Sequence, residues 1–228
     1  MSHFNTLVFS HTPEQVDDLL APFNECVEPG SPYGVFEEDD DADMDKTTGR
    51  KGYWCNPNAK WDWYELGGRW RGMLKLKEGK QGEFAPLSKY DDPARNRPGY
   101  CDRALAADID FSRDEAAYQH ALRRWEVMVE GAKQTPGGKE DFYLHLYKPE
   151  YYLQRFNNKE FYAEHEAGSV PYAYVTADGE WRCAGRMGWF GCDDVAYESL
   201  QAHIKGFYEY LALAEKQGLL ASMMDLHI

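Results

Sequence analysis

The sequence predicts an α+β domain with a mostly antiparallel sheet. The expected order is ferredoxin-like, β-α-β-β, then two helices, then β-β-α-β, with the helices packed on one face. Three observations predict it. An apolar strand-like run lies at each end of the chain, Phe4–Phe9 and Met223–Ile228. The helical stretches carry start signals and a single apolar face. Asp178-Gly179 sits between two short β-prone runs, a strong short-range hairpin signal.

Taken in order, residues 4–9 form the first strand. Thr12-Pro13-Glu14-Gln15 opens a helix, with Thr12 as N-cap, Pro13 at the first helical position and Gln15 completing a capping box. Val16, Leu19, Leu20 and Phe23 form its apolar face, and it ends near Pro22. Residues 28–58 hold prolines, glycines and an acidic block, and are expected to be an irregular loop. Trp61–Leu66 and Arg69–Leu76 read as a hairpin about Gly67-Gly68, because primed turns need positive φ. Alternation then puts Trp61, Trp63 and Glu65 on one face, and Asp62, Tyr64 and Leu66 on the other. Residues 78–100 are turn-rich.

Ser112-Arg113-Asp114-Glu115 is a second capping box, and its helix runs to about Glu130 around Leu122, Trp125 and Val129. Residues 141–147 are a strand or the approach to the next helix. Pro149 opens that helix, which runs towards Gly168 with Tyr152, Phe156 and Phe161 inward. Residues 172–183 form the Asp178-Gly179 hairpin. After a Gly-rich loop, Asp193 or Asp194 caps a helix carrying Leu200, Ile204, Phe207, Leu211 and Ala214, closed by Gly218.

Composition bounds the class. The 228 residues include 43% hydrophobic and 15% aromatic positions, enough for one core, so residues 1–228 are expected to be a single domain. No apolar run is long enough to span a membrane, and residues 1–5 lack the features of a signal peptide. The 25 basic and 39 acidic residues leave a net charge of −14, which opposes tight nonspecific binding to duplex nucleic acid. Half of that excess is Glu37, Glu38, Asp39, Asp40, Asp41, Asp43 and Asp45. Asp39, Asp41 and Asp43 resemble the opening of a calcium loop, but Met44 stands where its glycine should be and Arg50 where its last glutamate should be. Five cysteines without a Cys-x-x-Cys pair argue for reduced thiols in the cytoplasm.

Several strings resemble an uncharacterised group of phage- and prophage-borne hypothetical proteins. Members begin Met-Ser-His-Phe and end Asp-x-His-Ile, as in Met1-Ser2-His3-Phe4 and Asp225-Leu226-His227-Ile228. The likeness continues at Leu20–Phe23, at Asn56–Tyr64 with Gly67-Gly68-Arg69-Trp70, at Asp108–Phe111 and at Met187–Gly191. It implies a phage or prophage context in a bacterial host, and no particular activity. Members usually carry Cys before the final His, so Leu226 makes a thiol role there doubtful.

Three constellations could carry chemistry. If the end strands are antiparallel neighbours, His3 comes beside Asp225 and His227, while Phe4, Val8, Leu226 and Ile228 point to the other face. His3 and His227 could then act as acid and base with Asp225 as orienter, or simply cap a sheet edge. Metal binding is less expected, for want of a His-x-His or His-x-x-x-His spacing. Trp61, Trp63 and Trp70 with Asp62, Arg69 and Arg71 could stack on a base and grip a phosphate, or could be packing. Gly185–Gly191, with Arg186 and Trp189, could line an anion site or be an ordinary loop.

The leading expectation is a pocket that binds or hydrolyses a nucleotide-like ligand or nucleic-acid end. His3, Asp225 and His227 would be catalytic, and Asp62, Trp63, Arg69, Trp70, Arg186 and Trp189 would bind the ligand. No cofactor is required by the sequence. The alternatives are an acidic inhibitor docking on a basic surface of a host protein, and a small-molecule sponge without turnover.

Overall fold

The structure, a computed structural model, describes residues 2–87, 89, 92–134, 147–187 and 193–228. Residues 188–192 of the Gly-rich loop, with Trp189, lie outside them, as do the strand expected at 141–146 and Cys192.

The fold is mixed α+β. A six-stranded sheet is built on β1 (His3–Ser10) and β10 (Leu220–His227), paired antiparallel from His3↔His227 to Ser10↔Leu220. Beyond β1 lies β8 (Ala173–Val175), then β9 (Trp181–Cys183). Along its other edge, β10 takes β4 (Trp63–Leu66) near its end and β7 (Arg103–Leu105) near its start. Most neighbours are antiparallel. The ferredoxin-like order is not reproduced, because β1 and β8 run parallel. The first strand of the Asp178-Gly179 hairpin, not the second, lies beside β1.

Strand alternation sends Leu7 and Phe9 of β1, with Ala221 and Met223 of β10, to one face. There they pack against Phe207, Leu211 and Ala214 of α5 (Tyr197–Gln217). Phe4, Val8, Met224 and Leu226 point the other way and meet Val16 and Leu20 of α1 (Gln15–Leu20). The helices therefore cover both faces, which corrects the one-face expectation. Every residue of β1 from Thr6 to Ser10 is buried, as a strand covered on both sides requires. Full burial of a large apolar side chain is worth about 1.5–3 kcal/mol, so these layers hold the sheet.

The remaining helices form a separate cluster against the start of α5. α2 (Glu115–Met128) packs on α4 (Lys159–Ala167), and Trp125, Tyr152, Phe156 and Tyr162 fill the space between them and α3 (Pro149–Phe156). The single helix expected from Pro149 to Gly168 is two. Asn157 adopts positive φ, and the Asn158 side chain accepts the Phe161 N–H to cap a new start. Capping also differs elsewhere. Asp114 rather than Ser112 caps α2, and the Gln15 side chain accepts the His11 N–H rather than that of Thr12. Neither Asp193 nor Asp194 caps α5, which has Ala196 at its N-cap. Asp193 pairs with Arg155, and Asp194 accepts the Arg186 N–H.

The acidic segment is not irregular throughout. Within it, β2 (Val35–Glu38) pairs with β3 (Gly52–Cys55) as a separate two-stranded sheet. The hairpin expected about Gly67-Gly68 does not form. β4 pairs with β10, a short 3₁₀ turn at Gly68–Trp70 follows, and β5 (Leu74–Lys75) pairs with β6 (Tyr100–Cys101). The glycines do take positive φ, 76° and 49°, but for another reason. A Cβ on Gly67 would lie 2.7 Å from the Asp102 carboxyl, and one on Gly68 would lie 2.5 Å from that of Asp225.

Two predictions follow from this packing. Gly68→Ala should cost about 2–4 kcal/mol by urea unfolding, since it adds a clash to a positive φ. Gly179→Ala, also at positive φ (88°) but with open space around it, should cost only about 1–2 kcal/mol. The second concerns His203 on α5, which is buried and bonds the Pro171 carbonyl oxygen through Nε2 at 2.9 Å. Burial holds its pKa below the ordinary 6.5. The unfolded chain then binds that proton more readily, so stability present above pH 6.5 falls as pH drops below it. His203→Gln should flatten that slope, measured as unfolding free energy between pH 7.5 and about 5.

Candidate functional site

β1 and β10 bring their histidines into direct register, His3 opposite His227, with Asn5 opposite Asp225. Because β4 pairs with β10, Trp63 comes opposite His227 and Glu65 opposite Asp225. One sheet face thus collects two imidazoles, two carboxylates and an indole at the end of its central strands. The ring centroids of His3 and His227 are 4.9 Å apart, and that of Trp63 is 6.3 Å from His3.

Each imidazole is held by its own carboxylate. His3 Nδ1 lies 2.9 Å from Asp225 Oδ1, and His227 Nδ1 lies 2.6 Å from Asp62 Oδ1. An ionised carboxylate only accepts, so each Nδ1 carries the proton and donates. Each Nε2 is then an acceptor in the neutral ring, and neither has a hydrogen-bond partner among the described residues. The two pairs differ in setting. The Asp225 side chain is 2% exposed and that of Asp62 is 36% exposed, so the first pair is rigid and the second wet.

The burial of Asp225 is matched by a bond at its other oxygen as well. Oδ2 accepts the Arg69 N–H at 2.8 Å. That bond needs the backbone of Gly68 pressed against the carboxyl, where no Cβ would fit. The next turn repeats the device. Asp102, fully buried, accepts the Gly72 N–H at 2.7 Å and the Ala85 N–H at 2.9 Å, with Arg71 Nη1 at 3.8 Å. Arg71 is itself buried and donates to Asn96 Oδ1 at 2.6 Å.

His3, His227, Asp225, Asp62 and Trp63 therefore meet. The expected alternation of 61–66 fails at its start. Pairing with β10 begins at Trp63, and a bend at Asp62 turns its carboxylate to the histidine side. Trp61 goes to the opposite face, where it packs edge-on against Tyr64 and donates from Nε1 to the Leu20 carbonyl oxygen. Arg69 anchors Asp225 through its backbone, and its side chain is exposed. Trp70 is partly buried and packs against the α5-side core, and no ring contact joins it to the histidines among the described residues. Arg186 is not in this group. It lines a groove with Phe4 and Ile228, on the far face of the sheet. The single pocket expected from sequence is two places.

Sequence reasoning did not find Asp102 or the pairing of Asp62 with His227. The signal for the first was present in Gly67-Gly68-x-x-x-Gly72, which holds one glycine more than a two-residue turn needs. Asp39 Oδ1 accepts the Asp41 N–H, a local turn within the acidic block. Among the described residues, no group of three or more His, Cys, Asp or Glu side chains is arranged to hold a metal ion. No described helix is long and apolar enough to cross a membrane.

No family model, curated protein or solved structure matches the chain.

The carboxylate pairs predict a tautomer. Long-range ¹⁵N–¹H correlation at a pH where the rings are neutral should show both His3 and His227 protonated on Nδ1. Asp62→Asn should shift His227 towards the Nε2 tautomer and leave His3 unchanged, because the two carboxylates act separately.

Proposed function

We propose that the paired-histidine face is an acid–base site that hydrolyses a nucleotide-like ligand. The observation that carries this reading is that two imidazoles 4.9 Å apart are each fixed at Nδ1 by a carboxylate. That arrangement leaves two Nε2 atoms for chemistry and orients both. One neutral ring takes a proton at Nε2 from the attacking water. The other, protonated, gives its Nε2 proton to the leaving oxygen, so the pair ends one proton transfer from where it began. The rigid His3–Asp225 pair suits the base, whose tautomer must not change during attack. Half-exposed Trp63 gives a base a surface to stack on, worth about 1–3 kcal/mol per stacked base. The exposed Arg69 side chain begins at the turn that fixes Asp225 and supplies a cation for phosphate.

A phage-infected bacterial cytoplasm is the context we propose, and its support is the likeness of the chain's ends to phage-borne proteins. The rival reading also has an observation in its favour. The β2–β3 sheet gives Glu37 and Glu38 a fixed scaffold, from which the acidic block could dock on a basic host surface.

The deciding experiment incubates the protein with nucleotides, cyclic oligonucleotides and short RNAs, and reads products by mass spectrometry. A product formed by the native chain should fall at least about 100-fold in His3→Ala/His227→Ala. His3→Gln and His227→Gln singly should each lose most of it while keeping the native melting temperature. No product from any mixture, or a product unaffected by these changes, removes the hydrolase reading. Neutralising residues 37–45 should leave turnover intact but abolish binding if the protein is an inhibitor.

A further inference from the structure

On the far face of the sheet, a groove of about 350 Å³ opens between the start of β1, the end of β10 and β9. Its walls are aromatic. Phe4 meets Tyr172 at 5.3 Å and Trp181 at 6.3 Å between ring centroids, both edge to face. Its charged lining is Lys60 and Arg186, with no carboxylate among the lining residues.

That lining is out of character for this chain, which has 14 more acidic than basic side chains. Nearby cations are already taken. Arg155 is paired with Asp193, and Arg182 with Glu180. Lys60 and Arg186 have no carboxylate partner among the described residues. Asp194 Oδ1 accepts the Arg186 N–H at 2.6 Å, which fixes the backbone from which that exposed side chain leaves. Two unpaired cations beside three aromatic rings match a planar ring carrying an anionic group. The volume lies at the low end for small-molecule pockets, about 300–1,000 Å³, and suits a single nucleotide rather than an oligomer.

We propose that this groove is a binding site for a mononucleotide-sized aromatic anion, separate from the paired-histidine face. It does not depend on the hydrolase reading. The ring lies among Phe4, Tyr172 and Trp181, and the anionic group meets Lys60 and Arg186.

Isothermal titration of the full chain with adenosine monophosphate, adenosine and inorganic phosphate tests it. One molecule of the monophosphate should bind, and adenosine and phosphate should each bind at least about tenfold more weakly. Lys60→Ala/Arg186→Ala should weaken the monophosphate at least about tenfold, with the melting temperature unchanged because neither side chain leaves a partner behind. His3→Gln/His227→Gln should leave this affinity as it is. Absence of binding at millimolar monophosphate overturns the proposal. So does binding indifferent to Lys60 and Arg186, binding lost in the histidine variant, or phosphate binding as well as the monophosphate. None of these outcomes touches the product analysis that tests the hydrolase reading.

Discussion

Two buried carboxylates hold this fold together at its most demanding point. Asp102 and Asp225 are inside the protein, where a carboxyl group costs several kcal/mol unless its oxygens are bonded. Each finds one of its donors in the same short stretch, where the Arg69 N–H serves Asp225 and the Gly72 N–H serves Asp102. Because a backbone must come that close, Gly67 and Gly68 can carry no side chain. The turn thus joins the last strand to the long excursion between β4 and β7. It also fixes the carboxylate on which His3 rests. Stability and the candidate chemistry share one set of hydrogen bonds, so a change at Gly68 or Asp225 affects both.

The histidine face and the aromatic groove are back to back. His3 and Phe4 are consecutive, as are His227 and Ile228, and alternation sends one of each pair to each face. The same two strand ends therefore serve both places. The histidine side is polar and rests on carboxylates, and the groove is apolar with two unclaimed cations. The charged groups of the two places are thus of opposite sign.

Much of this was legible from residue patterns. The pairing of the end strands put His3, Asp225 and His227 together, because period-two alternation leaves little freedom once two apolar strands must be central. Asp178-Gly179 gave its hairpin, and the apolar face of Leu200, Phe207, Leu211 and Ala214 gave α5. What was not legible depends on partners far along the chain. Positive φ at Gly67 and Gly68 was rightly expected, but the pattern could not say that the cause is Asp102 and Asp225, so a hairpin was the natural reading. The bend at Asp62, which creates the second histidine–carboxylate pair, is set by where β10 begins to pair, not by local preference. Likewise, nothing near α1 in sequence says which face of the sheet it will cover.

The pairing of His3 with His227 also governs how the protein can be made. Some 210 residues of chain separate the end of β1, at Ser10, from the start of its antiparallel neighbour β10, at Leu220. At about 5–20 residues per second, some 10–45 seconds pass between the synthesis of the two. Through that interval a strand that carries Phe4, Leu7, Val8 and Phe9, destined for the middle of a sheet, has an open edge. β8 can satisfy one side of it somewhat earlier, but only over Thr6–Val8. The nascent chain therefore needs β1 held away from other chains until β10 has been made. His3 and His227 come together only once β10 has paired with β1.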